Sequence, residues 1–216
     1  MLIDHRVLWF AATNCWVIAP ERGGPCVVVD APPDPSGIAG LLAHHDLHPV
    51  ALLLTHGHID HMGGAGPLAR SARVVTWVHP DDDFLTLDPR GQLLSLMGFV
   101  DDRDYEPPAE RSTLHDGQRL ELAGLSIDVL HTPGHTPGHC CFLLPDEGVL
   151  LSGDQLFAGS IGRTDLPGGN TQQLAESMRS RIMPLDDAVR VLPGHGPETS
   201  VGRERVTNPF RDLWAD

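Results

Sequence analysis

Residues 55–66 read Thr55-His56-Gly57-His58-Ile59-Asp60-His61-Met62-Gly63-Gly64-Ala65-Gly66. Three histidines and one aspartate fall within six positions, and a glycine-rich turn follows. A packed interior is built from aliphatic groups, and a buried imidazole or carboxylate must find a partner. A divalent transition metal takes this very set of donors, at about 2.0–2.2 Å. The run comes directly after Val50-Ala51-Leu52-Leu53-Leu54. It therefore stands where a buried strand gives way to a loop, the usual place for a rigid scaffold to present chemistry.

Three more potential ligands share that setting, each after an apolar strand and among glycines. His135 lies in His131-Thr132-Pro133-Gly134-His135-Thr136-Pro137-Gly138-His139, after Ile127 to Leu130. Asp154 follows Val149 to Leu151 in Ser152-Gly153-Asp154. His195 follows Val189 to Leu192 in Pro193-Gly194-His195-Gly196. Four strand ends thus offer seven donors: His56, His58, Asp60, His61, His135, Asp154 and His195. Seven exceed what one tetrahedral ion accepts and suit two ions, with one carboxylate shared and a water or hydroxide as second bridge. Zinc is the expected metal, with iron or manganese accepted by the same ligand types. His131 and His139 are expected to support the ligands rather than bind metal, with Asp30 and Thr55 helping to fix the imidazoles. His5, His44, His45, His48, His79 and His115 are read as ordinary surface or core histidines.

The chain has 216 residues and a formal charge of -14, from 29 acids and 15 bases. Every base is Arg; there is no Lys. That surface excludes polyanion binding, which needs clustered basic residues, and removes Lys from any catalytic role. The length suits one domain, taken as residues 1–216, composed of two similar α/β halves. Cys15, Cys26, Cys140 and Cys141 form no C-x-x-C pair and read as free buried thiols of a reducing compartment. No run approaches the ~18 apolar residues of a membrane span. A cytoplasmic protein is expected, a monomer or small homo-oligomer, whose partner is a small molecule rather than nucleic acid or membrane.

Hydrophobic patterning places strands at 7–11, 15–19, 26–29, 50–54, 74–78, 119–122, 125–130, 140–144, 149–151 and 189–192. The first two form a hairpin about Thr13-Asn14. Helices are expected from a cap at Ser36 to about His45, from Gly63-Gly64 to about Arg70, and from Thr171 to Met183. Residues 79–112 are irregular and acidic. They read as an insertion or lid with a solvated face, helical at most around Leu93 to Phe99.

The pattern His56-x-His58-x-Asp60-His61, then His135, Asp154 and His195, resembles the metallo-β-lactamase superfamily along nearly the whole chain. The resemblance implies an α/β fold, the αβ/βα sandwich of two mixed sheets with helices outside. It also implies that His56, His58 and His135 serve one metal, that Asp60, His61 and His195 serve the other, and that Asp154 bridges. The segment Ser152 to Asn170, SGDQLFAGSIGRTDLPGGN, is similar to glyoxalase II-like hydrolases in their short single-domain bacterial form. That resemblance implies hydrolysis of a thioester such as S-D-lactoylglutathione, with hydroxide attacking the carbonyl and Asp60 orienting it or receiving its proton. Arg163 is the candidate for gripping the substrate's carboxylate or carbonyl end, against the plainer expectation of an ion pair with Asp165. The longer enzymes bind glutathione with a helical domain and with Lys and Tyr; this chain has about 20 residues after His195, no Lys, and one tyrosine, Tyr105. The alternatives are a persulfide dioxygenase with mononuclear iron, a lactone or β-lactam hydrolase, and a non-enzymatic metal-binding protein.

Overall fold

The computed structural model describes residues 1–215. The first sheet runs in chain order: β1 (Leu2–Leu8), β2 (Thr13–Ala19), β3 (Pro25–Val29), β4 (His48–Leu53), β5 (Val75–Val78) and β6 (Arg111–Thr113). Its first two pairings are antiparallel and the remaining three parallel. The second half supplies β7 (Arg119–Leu122), β8 (Leu125–His131), β9 (Cys140–Leu144), β10 (Val149–Gly153), a small hairpin of β11 (Leu156–Phe157) and β12 (Ser160–Ile161), β13 (Arg190–Pro193) and β14 (Thr199–Ser200). Its sheet has the order β14-β13-β10-β9-β8-β7, with only β10 and β13 parallel.

Strand alternation sorts the apolar residues into three cores. Trp16, Ile18, Val27, Val29 and Leu53 of the first sheet meet Ile127, Val129, Phe142, Leu144 and Leu151 of the second. The opposite face of the first sheet, with Val17, Val28 and Leu52, packs on α1 (Pro35–His45) and on Leu68 of α3 (Ala65–Ala72), which follows the short α2 (Ile59–Met62). Beyond α3 lie α4 (Asp83–Thr86) and α5 (Pro89–Met97). The outer face of the second sheet, with Cys141, Leu150 and Val191, is covered by Leu174 of α6 (Thr171–Ser177), by Met178 and Ile182 in the π-helical turn after it, and by Val201 of α7 (Val201–Thr207). Both faces of each sheet are thus buried, which is why the strands read as nearly continuous apolar runs. The result is the expected αβ/βα sandwich.

Several local expectations are corrected. The first hairpin turns at Trp9–Ala12, where Trp9 and Ala12 both adopt positive φ; Thr13 and Asn14 already belong to β2. Asp34, not Ser36, caps α1, accepting from the Gly37 amide. Residues 79–112 are not a solvated lid: they hold α4, α5 and β6, with Leu93 and Tyr105 fully buried in the first core and Asp82 wholly enclosed. The α6 helix leaves α geometry at Met178, six residues before Pro184. All four cysteines are buried and free. No described helix is long and apolar enough to cross a membrane.

Candidate metal centre

β4, β8, β10 and β13 end at the same edge of the sandwich, and the residues just past those ends converge. His58 Nδ1 and His56 Nε2 lie 2.9 and 3.2 Å from His135 Nε2. Beside them, His61 Nε2 is 3.2 Å from His195 Nε2 and 3.3 Å from both Asp60 Oδ2 and Asp154 Oδ1. His195 Nε2 is 3.2 Å from Asp60 Oδ2, and Asp154 Oδ2 stands 3.5 Å from both His135 and His195. A tetrahedral ion with ligands at about 2.0–2.2 Å imposes ligand–ligand edges of roughly 3.3–3.6 Å. The donor separations are those of a coordination shell.

The far side of four of the five rings explains why their donors face inward; the fifth, His58, turns Nδ1 to the centre and has no bond at Nε2. His135 Nδ1 donates to the Arg163 carbonyl at 2.7 Å, and His61 Nδ1 to Asp30 Oδ2 at 2.8 Å. His56 Nδ1 donates to Thr55 Oγ1 at 3.0 Å, whose hydroxyl donates in turn to Asp30. His195 Nδ1 leans on the Ala12 carbonyl at 3.3 Å. Each bond orients its ring with Nε2 toward the centre. The Nε2 atoms of His56 and His135, both bare because the proton of each ring is on Nδ1, lie 3.2 Å apart and repel unless a cation lies between them. Asp154 Oδ1 is also buried without a hydrogen bond. The residues fit a divalent metal. The Asp30–Thr55 support is present as expected, and His139 joins it: its Nε2 accepts from the Asp154 amide and its Nδ1 bonds Thr132.

The electrostatics divide the cluster. Burial, then the neighbouring imidazoles, hold His56 well below its ordinary pKa. Burial pushes His58 down to about 3 and His135 down to about 4, so all three are neutral at pH 7. Burial also opposes charge on His61, yet Asp60, Asp154 and Asp30 outweigh it and raise its pKa well above normal. His195 is raised too, against burial, by its contact with Asp60. One side is a neutral trio and the other an ion-paired set rich in carboxylate.

Two glycines are required by close approach. A Cβ on Gly194 would stand 2.3 Å from Asp154 Oδ1 and 2.6 Å from His61 Cε1. Gly134 adopts φ +141°, and a Cβ there would meet the Leu174 backbone at 2.2 Å.

Three residues of the site escaped sequence reading. Thr13 Oγ1 donates to Asp60 Oδ2 at 2.9 Å. Asn14 holds the loop of His195 by donating to the Pro193 and Gly196 carbonyls. Asp82, fully buried, accepts from the Gly57 amide at 2.8 Å, the Thr136 hydroxyl at 2.7 Å and the Gly138 amide at 2.6 Å. It ties the His56–His61 loop to the His135 loop. Nothing in an acidic segment marks one aspartate as internal; only its neighbour Pro80, which turns the chain inward, is suggestive.

Arg163 lies at the rim. Its guanidinium, 61% exposed, forms a bidentate pair with Asp165 at 2.7 Å, while its carbonyl holds His135. Among the described residues one more cluster, His79–Asp81–His131, offers metal-type donors. There the two rings stack in parallel, 7° between planes and 4.0 Å between centroids. An ion must lie in the plane of each ring that binds it, which parallel stacked rings cannot both satisfy.

The profile of the Metallo-beta-lactamase superfamily matches residues 8–195. This chain belongs to that superfamily. Hydroxyacylglutathione hydrolase GloC of Haemophilus influenzae is 36% identical over 207 residues, covering 91% of this chain and 92% of the relative. Among solved structures, BLEG-1 B3 metallo-beta-lactamase superposes with a TM-score of 0.88 at 32% identity, over 97% of this chain and 99% of that one. TTHA1623 in a di-iron-bound form does so with a TM-score of 0.83 at 36% identity, over 96% and 99%.

Proposed function

We propose that this protein is a metal-dependent hydrolase of 2-hydroxyacyl thioesters, with S-D-lactoylglutathione or another thiol's ester as substrate. The observation that carries the reading is the second donor group, Asp60, His61 and His195, standing complete beside the trio of His56, His58 and His135. A mononuclear iron site needs only two histidines and one carboxylate. The relative named a hydroxyacylglutathione hydrolase supports the choice of thioester.

In this reading His56, His58 and His135 would hold one divalent ion and Asp60, His61 and His195 another, with Asp154 between the two groups. Such ions would supply Lewis acidity, bringing the pKa of water toward neutrality. Asp60 aligns the attacking water through the carboxylate that Thr13 fixes, and accepts its proton. The water oxygen bonds to the carbonyl carbon, the C–S bond breaks, and sulfur leaves with the electron pair as a thiolate. That leaving group is stable enough to need no strong general acid. The buried neutral His139 keeps the Asp154 backbone in place throughout.

A substrate panel tests the proposal. Metal-loaded protein is assayed with S-D-lactoylglutathione, other thiol esters, a lactone and a β-lactam. Thioester cleavage above the rest is expected. Preference for the lactam, or iron-dependent oxygen uptake with a persulfide, overturns it.

A further inference from the structure

The cavity over the metal centre has a volume of about 460 Å³. Its floor holds His58, Asp60, His135, Asp154 and His195. Its walls are Trp9 from the first hairpin turn, Leu96 from α5, Phe157 from the β11–β12 hairpin, and Ile161 and Leu166. Phe157 sets its ring edge-on to the His195 imidazole, 6.0 Å between centroids at 82°. Phe84 of α4 is also about half exposed. Phe84 reaches the Gly168 turn, two residues from Leu166, since a Cβ on Gly168 would lie 3.3 Å from its ring.

Charge in the cavity points the same way. Arg163 is the one Arg among the wall residues, the chain has no Lys, and that guanidinium is already paired with Asp165 in two hydrogen bonds. The two carboxylates on the floor belong to the metal cluster. A peptide thiol bearing carboxylates would enter a protein of formal charge -14 and find no unpaired cationic side chain among the described residues that line the cavity. An apolar thiol would cover Trp9, Leu96 and Phe157 and gain from the area removed from water.

We infer that the thiol carried by the substrate is an uncharged, apolar one, seated on the Trp9–Leu96–Phe157 wall, and not a carboxylate-bearing peptide such as glutathione. The inference rests on the thioester hydrolase reading and narrows it. The acyl end, bearing the hydroxyl and the scissile carbonyl, faces the metal floor; the sulfur substituent faces the wall. Glutathione thioesters are then substrates by virtue of their acyl group alone.

The test uses metal-loaded protein and two D-lactoyl thioesters, one of benzyl mercaptan and one of glutathione. The benzyl thioester should show a kcat/KM at least tenfold higher, with the difference in KM. Leu96→Ser, at a position 39% exposed and so tolerant of change, should raise KM severalfold more for the benzyl thioester than for the glutathione thioester. Equal or better turnover of the glutathione thioester, or a Leu96→Ser change that falls alike on both, overturns the inference while leaving thioester hydrolysis standing. Cleavage of neither ester overturns the hydrolase reading and this inference with it.

Discussion

Replacing Asp82 by alanine removes the acceptor of three buried hydrogen bonds, those of the Gly57 amide, the Thr136 hydroxyl and the Gly138 amide. The hydroxyl can rotate to another partner; the two amides cannot. Each buried donor left unpaired costs about 1–3 kcal/mol, giving ~2–6 kcal/mol for the pair. Part of that is offset, because burial pushes the Asp82 carboxyl up in pKa and its removal relieves an ionised group held away from water. A net loss of ~2–4 kcal/mol follows. With a slope of about 2 kcal/mol/M in urea, the unfolding midpoint of the metal-free protein should fall by roughly 1–2 M. Because Gly57 lies between His56 and His58, the loss should extend to the centre, and Asp82→Ala protein purified with saturating zinc should carry less than the wild type. Asp82→Asn should fall between the two, its oxygen still accepting two bonds and its NH₂ meeting an amide that can only donate. A midpoint within ~0.3 M of the wild type and unchanged metal content would refute the idea that Asp82 clamps the two ligand loops.

Asp60→Ala should lower kcat for thioester hydrolysis by roughly 10²–10⁴-fold while the far-ultraviolet circular dichroism stays native, since Asp60 makes one hydrogen bond to protein outside the histidine cluster, from Thr13; a folded variant with wild-type turnover removes Asp60 from the mechanism. Gly194→Ala should weaken metal binding by about 10–100-fold, read by competition with a chromogenic chelator, because its Cβ would displace Asp154 and His61; an unchanged affinity contradicts the close approach. Metal uptake should release protons unequally. His58 and His135, pushed down to about 3 and about 4, are neutral ligands already, whereas the carboxylates raise His61 well above its ordinary pKa and raise His195 as well, so the protons displaced come from that side. Acidification from pH 8 to 6 should therefore weaken the second binding event and leave the first nearly constant, as calorimetry in buffers of different ionisation enthalpy would record; equal weakening of both contradicts the division of the centre.

The convergence of the seven candidate donors was legible because metal chemistry confines its ligands to few residue types and because strand ends and glycines announce a turn. Long apolar runs such as Cys26 to Val29 and Val50 to Leu54 were legible as strands for a related reason: burial on both faces leaves no polar residue to confuse the pattern. What escaped depended on tertiary contact. Thr13 and Asn14 carry turn chemistry in isolation, yet pairing with β1 and the bonds to Asp60 and Pro193 draw them into a strand. Asp82 sits in a row with Asp81 and Asp83; only the fold turns one of the three inward. Arg163 was singled out for its side chain, and the part of it that reaches the centre is its carbonyl, which no sequence pattern distinguishes. The two-residue strands β11 and β12 are too short to show a period, so the hairpin that brings Phe157 to the cavity could be seen only in three dimensions.

The most direct test of the account is metal quantification on the pure protein, run with thioester hydrolysis on the same sample before and after chelation. Two divalent ions per chain, with cleavage of a 2-hydroxyacyl thioester that vanishes with the metal and returns on its restoration, is the predicted result. A single iron per chain with oxygen consumption, or two tightly held ions and no thioester turnover, would contradict it.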